Sequence, residues 1–235
     1  MNTSELPEIL LVDKPLGITS FDVIRKLRQK HNPKPAANDP TRSEWKALKV
    51  GHAGTLDPLA TGLMVLGVGE GTKRLTELSK LDKEYIAEIR IGERRSTGDL
   101  EGDVLEKVVV TEIDESQLRS QLRSMVGVLM LPVSAYSAIK KDGVPMYRRA
   151  RAAEAKGEQV EEVPYRDMEV LVAELQSLSS EAEYCVATVR FFVRSGVYIR
   201  SLAEELGKRM GYPATLQNLR RTQVGEFRVE DAKKL

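Results

Sequence analysis

The sequence predicts a mixed α+β chain. Segments alternating apolar and polar with period two, such as Tyr85 to Ile91 and Tyr184 to Arg194, are strands. Segments with apolar residues three and four apart, such as Ile199 to Met210, are amphipathic helices. The two kinds interleave without a regular strand-helix repeat or any fixed internal period, which favours α+β over a doubly wound parallel sheet. The 235 residues fit one large domain or two small ones.

Ile9-Leu10-Leu11-Val12 is a buried strand, ended by Asp13-Lys14-Pro15 and Gly17. Thr19 or Ser20 caps the next helix, with Asp22 in its first turn and Val23, Ile24 and Leu27 on its apolar face. Residues 29–49 read as a flexible inserted loop, because Pro33, Pro35 and Pro40 interrupt a polar stretch. Trp45 is expected to anchor the loop's return to the body. Leu63 to Val68 is a short strand, and Glu115 to Val126 a helix. Val144 to Ala155 is a basic helix beside the Pro132 to Lys141 loop. Cys185 lies on the apolar face of its strand and reads as a core filler. Gly211 is placed to end the last helix.

Composition narrows the function. Lys plus Arg (36) nearly cancels Asp plus Glu (35), so bulk charge does not identify a partner. Basic residues nevertheless cluster at Lys140-Lys141, at Arg148-Arg149 with Arg151, at Arg190-Arg194-Arg200 and at Arg220-Arg221, a distribution suited to local steering. With one cysteine no internal disulfide can form, and a reducing compartment is expected. His31, His52 and Cys185 are too few soft ligands for a structural zinc site, so no metal is expected. The N-terminal residues lack a signal core, and the run Ile9 to Val12 is too short to span a bilayer. The expectation is a cytoplasmic protein without membrane contact.

The stretch Gly51-His52-Ala53-Gly54-Thr55-Leu56-Asp57-Pro58-Leu59-Ala60-Thr61-Gly62 carries the most information. Pro58 biases Asp57 towards extended backbone angles, and the flanking glycines permit close approaches that side chains block. The loop displays one carboxylate near a crowded surface, as a catalytic acid would be displayed. Gly67-Val68-Gly69-Glu70-Gly71-Thr72-Lys73 imitates a phosphate loop. It places Thr72 where the dinucleotide fingerprint needs glycine, and it lacks the Gly-Lys-Ser/Thr ending of the other template. No Gly-x-Ser-x-Gly elbow is present.

Further pieces are Leu11-Val12-Asp13-Lys14-Pro15 with Gly17 and Thr19-Ser20, Lys83-Glu84-Tyr85, Ser137-Ala138 with Lys140, Gly196-Val197-Tyr198-Ile199-Arg200, and Asn218-Leu219-Arg220-Arg221. With the Gly51 to Gly62 dodecapeptide they resemble, in order, the motifs of the bacterial TruB family of tRNA pseudouridine synthases. The resemblance runs from Leu10 to Arg221. It implies the pseudouridine synthase fold, with a central mixed, mostly antiparallel sheet flanked by helices and loops. It implies a single catalytic domain over residues 1–235, with an RNA-binding thumb inserted at about 132–165. The chain stops at Leu235, so the family's C-terminal PUA-like domain is not expected.

The resemblance also implies isomerisation of uridine 55 in the tRNA T loop, by base flipping and without a cofactor. Asp57 is then the essential carboxylate, as nucleophile or as base, and Arg200 its charge partner. His52 fills the place of the flipped nucleotide, and Tyr85 stacks on the uracil. Tyr198, Leu219 and Lys14 complete the substrate-binding set, while Lys140, Arg148 and Arg151 touch RNA backbone. The implied partner is the tRNA T stem-loop, with a monomeric enzyme and no obligate protein partner. Two alternatives use the same cleft: an RNA-folding helper, and a guide-RNA-dependent synthase.

Overall fold

The computed structural model describes residues 6–43, 46–136, 140–156 and 163–235. Its elements run β1 (Ile9–Lys14), α1 (Ser20–His31), β2 (Val50–His52), β3 (Ala60–Val68), α2 (Leu75–Leu78), β4 (Lys83–Ile91), β5 (Glu93–Arg95), β6 (Val104–Lys107) and α3 (Glu115–Ser124). They continue with β7 (Gly127–Pro132), β8 (Lys140–Lys141), β9 (Val144–Pro145), α4 (Met146–Ala155), β10 (Tyr165–Ser180) and β11 (Cys185–Val193). The last are α5 (Ile199–Met210), β12 (Ala214–Val224), β13 (Phe227–Arg228) and β14 (Lys233–Lys234). The chain forms two compact units, residues 1–85 with 220–235, and residues 86–219, so β4 and β12 each contribute to both.

In the first unit the strand order is β14-β1-β3-β12, with β2 on β3 and β13 on β12. β1 pairs antiparallel with β3, setting Lys14 opposite Gly62, and parallel with β14. Leu63, Val65, Leu78, Val224 and Val229 form a buried cluster, packed by Leu11, Leu75 and Phe227. Thr19 caps α1 in a reciprocal box: its side chain accepts from the Asp22 N–H, and the Asp22 carboxylate accepts from the Thr19 N–H. β3 begins at Ala60, three residues before the strand expected from hydrophobicity. Gly62, with φ +102°, lacks the side chain that marks a strand. A Cβ there would lie 2.2 Å from the Arg221 carbonyl oxygen, so only glycine lets β12 come this close.

In the second unit the order is β12-β4-β11-β10-β7. β10 pairs antiparallel with β11 and with β7. α3 packs on β10 and α5, burying Leu118 and Leu122, while α5 buries Leu202 and Leu206. Cys185 is fully buried on β11, as its alternation predicts. The basic helix expected from Val144 starts later, at Met146. Val144 and Pro145 instead form a hairpin with Lys140 and Lys141 through Asp142-Gly143, both at positive φ.

Within the inserted loop, α1 continues to His31 and a 3-10 turn covers Pro40–Ser43. Arg28 Nε donates to the Leu48 carbonyl at 2.9 Å and closes the base of this excursion. Trp45, Ser137 and Ala138 lie outside the described residues, as do the side chains of Lys140 and Arg151. Among the described residues, no helix is long and apolar enough to cross a membrane.

Candidate active site

The Asp57 loop, between β2 and β3, is fixed by donors from β1, α1 and the turn between them in the first unit. Ser20 makes two bonds with Leu56: its hydroxyl donates to the carbonyl at 2.9 Å and accepts from the N–H at 2.8 Å. Gly17 N–H donates to the Pro58 carbonyl at 2.9 Å. The Lys14 ammonium, fully buried, donates to the carbonyls of Ile18 at 2.7 Å, Pro15 at 3.0 Å and Pro58 at 3.4 Å. Ala60 N–H donates back to the Asp57 carbonyl at 3.0 Å, turning the chain into β3.

Arg221 holds the other side of the loop. It is 2% exposed. Its Nε donates to the Leu63 carbonyl at 2.7 Å, Nη2 to Gly54 at 3.1 Å, and Nη1 reaches Thr55 at 3.5 Å, the outer limit of a hydrogen bond. Gly54 and Gly62 of the dodecapeptide make room for this side chain and its backbone. A Cβ at position 54 would sit 3.3 Å from Arg221 Nη1. The loop's small residues thus have an internal packing role that spacing alone did not reveal. Neighbouring Arg220 is bidentate to Asp13, with contacts of 2.9 and 3.1 Å, and ties β12 to β1.

The buried cation shapes its neighbours. His52 ends β2, and its Nδ1 accepts the Gly54 N–H at 3.3 Å, which places the ring proton on Nε2. Burial first, and then Arg221, push the His52 imidazole below its ordinary 6.5, so it is neutral at pH 7. Lys83 donates to the carbonyls of Ser79 at 2.9 Å and Leu81 at 2.6 Å. Burial, then Arg221, lower its ammonium to about 8, against a smaller opposing pull from Asp82. Tyr85 is 7% exposed and shares with Lys83 the buried face of β4.

In the second unit, Arg200 occupies the first turn of α5 and is 5% exposed. A surface position would have been the simplest reading of an arginine there. Instead its Nη1 lies 3.5 Å from Asp99 Oδ2 and donates to the Thr97 carbonyl at 2.9 Å, while Nη2 donates to Tyr136 at 3.3 Å. Asp99, itself 2% exposed, also accepts from Thr97 Oγ1 at 2.5 Å and from the Glu101 N–H at 3.1 Å. Tyr198 is the half-buried N-cap residue of α5, and Leu219 is a buried residue of β12. Arg148 is exposed on α4.

The structure therefore gathers Lys14, His52, Asp57 and Tyr85 in one unit, and Tyr198, Arg200 and Leu219 in the other. Lys14, expected to bind substrate, is placed under the Asp57 loop with its ammonium on backbone carbonyls. Sequence reasoning assigned no site role to Arg221, Lys83 or Asp99, and gave Ser20 only a candidate place as a helix cap. Arg221, Lys83 and Ser20 stood within the motifs of the family resemblance. Asp99 sits in a Ser-Thr-Gly-Asp turn that resembles any polar turn.

Residues 42–199 match the N-terminal domain of the TruB family pseudouridylate synthases. The tRNA pseudouridine synthase B of Corynebacterium efficiens is 39% identical over 224 residues, 95% of this chain and 69% of the relative. Its counterpart in Opitutus terrae is 39% identical over 230 residues, 97% of this chain and 85% of the relative. Among solved structures, a chain in a crystal structure of a Cbf5-Nop10-Gar1 complex aligns with TM-score 0.66 at 22% identity, over 97% of this chain and 52% of its own length. A chain of an H/ACA RNP bound to a substrate RNA containing 2′-deoxyuridine aligns with TM-score 0.63 at 20% identity, over 96% of this chain and 50% of its own. This chain spans about half of those two, and the likeness is one of fold. The family match and the identity over nearly the whole sequence make the assignment: the chain belongs to the TruB family of pseudouridylate synthases.

Proposed function

We propose that this protein isomerises uridine to pseudouridine in tRNA, at position 55 of the T loop, with Asp57 as the essential carboxylate. The observation that supports this best is the clamp around the Asp57 loop. Lys14, Ser20, Gly17 and Arg221 hold the backbone on both sides of one carboxylate. Such fixing removes the conformational search that would otherwise precede reaction.

The reaction conserves atoms. The bond from C1′ to N1 breaks, the base turns, and a bond from C1′ to C5 forms. The proton on C5 leaves, and N1 gains one. Nothing is oxidised or reduced, so the chemistry calls for no electron carrier. Asp57 serves as nucleophile at C1′ or as base towards the sugar, and either role requires its ionised form.

The target base must leave its stack, at a cost of a few kcal/mol. His52 is assigned to the vacated place. A neutral imidazole suits it, since a flat uncharged ring stacks between bases without importing a charge. Tyr85 is assigned to the uracil face, and Tyr198 and Leu219 to the pocket lining. Arg200 is the cation assigned to the reaction. Lys140, Arg148 and Arg151 are assigned to phosphates, which position RNA without reading its sequence. Lys14 acts on the loop as a positioning residue.

The test is an Asp57→Asn variant on unmodified transcript tRNA, with no guide RNA and no second protein. Pseudouridine mapping should show the modification with the parent and none with the variant, while tRNA affinity stays within a few-fold. Retained turnover would overturn the role of Asp57. Turnover only with a guide RNA would overturn the standalone reading. Binding without turnover in the parent would leave the folding helper.

A further inference from the structure

Within the first unit, α1 and β14 flank a groove of about 280 Å³ whose floor includes Leu10, Val12 and Leu27. Lys26, Lys30, Lys233 and Lys234 also line it. All four lysines are exposed, and none forms an ion pair with a described carboxylate. Among the described residues, no Asp or Glu side chain lines the groove. The chain's net charge is only +1, so this is a local concentration of positive charge, not a sample of a basic surface. Lys26 and Lys30 stand one helical turn apart and place their ammonium groups on the same side of α1.

We infer that this groove is a second RNA contact, holding one base on its apolar floor while the four lysines meet the flanking phosphates. The inference rests on the proposed tRNA substrate. Three features select an RNA strand. At about 280 Å³ the groove falls just below the range of about 300–1,000 Å³ for free small-molecule pockets, a size suited to one unit of a polymer. Its described charged side chains are four lysines, complementary to phosphates on both sides of that unit. Its floor is aliphatic, with few polar groups to read a base edge, so binding would add affinity without sequence preference. An acidic protein segment would answer the same charge, and the experiment separates the two.

The experiment compares the parent with a Lys26→Gln, Lys30→Gln, Lys233→Gln, Lys234→Gln variant. Unmodified transcript tRNA is titrated across a salt series, and single-turnover pseudouridine formation is followed at saturating tRNA. If three phosphates are lost, the slope of log affinity against log salt should fall by about 2, and affinity near 0.1 M salt should drop at least tenfold. The saturated rate should not change. A Lys80→Gln, Lys208→Gln control, at exposed lysines away from the groove, should change affinity less than twofold. Leu235→Glu, at a side chain 42% exposed, brings a negative charge to the groove wall and should weaken binding in the same direction.

Unchanged affinity and slope in the quadruple variant would overturn the RNA contact and leave an acidic protein segment as the groove's occupant. An equal loss in the control would also overturn it, because the effect would be general charge. If the parent itself forms no pseudouridine but binds tRNA with the groove-dependent slope, the proposed activity fails and the groove inference stands.

Discussion

Arg221 in the first unit and Arg200 in the second are buried almost equally, 2% and 5% exposed, but their charges are met differently. Arg200 faces a carboxylate, Asp99. Among the described residues, Arg221 donates to backbone carbonyls, those of Leu63, Gly54 and Thr55. The neighbours register the difference. Glu204 is raised above its ordinary value, chiefly by burial. Arg94 and then Arg200 pull it down, and Asp99 opposes them by pushing it up. Around Arg221 both His52 and Lys83 are driven down by it, after burial, with a smaller opposing pull from Asp82 on Lys83. A carbonyl cage satisfies an arginine's donors but leaves its field intact, whereas a carboxylate removes the field as well. The first unit therefore keeps positive potential beneath the loop that presents an acid.

The largest effect should come from breaking the neutralised pair. Arg200→Met leaves the Asp99 carboxylate buried without its cation, and stability should fall by about 3–5 kcal/mol. Asp99→Leu removes the carboxylate facing the guanidinium, which keeps its bonds to the Thr97 and Tyr136 carbonyls, and should cost less. The double variant should lose less than the sum by about 1–3 kcal/mol in urea unfolding. Additive losses would mean that the two groups do not interact.

The next effect tests the uncancelled field through Lys83. Its folded value, about 8, lies below the 10.5 of an unperturbed lysine. Between these pH values the unfolded chain holds a proton that the folded chain has released, so stability rises with pH across the window. Below pH 8 both states are charged and the burial cost is complete. The rise should total roughly 3 kcal/mol, from the 1.36 kcal/mol carried by each pH unit of difference. Lys83→Met lacks it, so the stability gap between parent and variant should change by most of that amount between pH 8 and pH 10. A gap independent of pH would show that Lys83 is solvated like a surface lysine.

Much of this architecture was legible from local pattern. Alternation located β4 and β11, and apolar spacing located α5 to the residue, because each buries one continuous face. β10 was not legible. Register shifts between Val170 and Val172, and again between Leu175 and Ser177, break its period of two. β12 hid behind its polar run Gln217 to Gln223, since Arg220 and Arg221 look like surface residues until their partners are known. The site divides the same way. Asp57 was visible because glycine and proline shape its loop locally. Its clamps were not, because Ser20 reaches Leu56 across 36 residues and Arg221 reaches Gly54 across 167. Charge compensation by Asp99 left no pattern, since the pairing exists only after folding.

Arg221→Met should cost less than breaking the pair at Arg200. It leaves buried carbonyl acceptors unmet, about 1–3 kcal/mol, but it also removes a buried charge. No side-chain change can rescue it, because its partners are backbone. The loop consequence is separable: single-turnover pseudouridine formation should fall tenfold or more, with tRNA affinity within a few-fold. Equal losses of rate and affinity would make Arg221 a general stability residue and not a positioning one.

The smallest effect is the most direct measure of the field. In Arg221→Met the His52 imidazole should titrate at higher pH than in the parent, yet still below 6.5, because burial is its larger cause and remains. The parent's depressed value means that the folded chain resists taking this proton. The stability contributed by His52 is therefore present above pH 6.5 and lost as pH falls through the folded value. Removing Arg221 should narrow that window from its lower end. The His52 ring-proton shift, followed by NMR against His31 as the only other histidine, reads this without unfolding the protein. An unmoved His52 titration would show that the carbonyls of Gly54, Thr55 and Leu63 screen the guanidinium as fully as Asp99 does its counterpart, and the contrast between the two arginines would then be one of geometry alone.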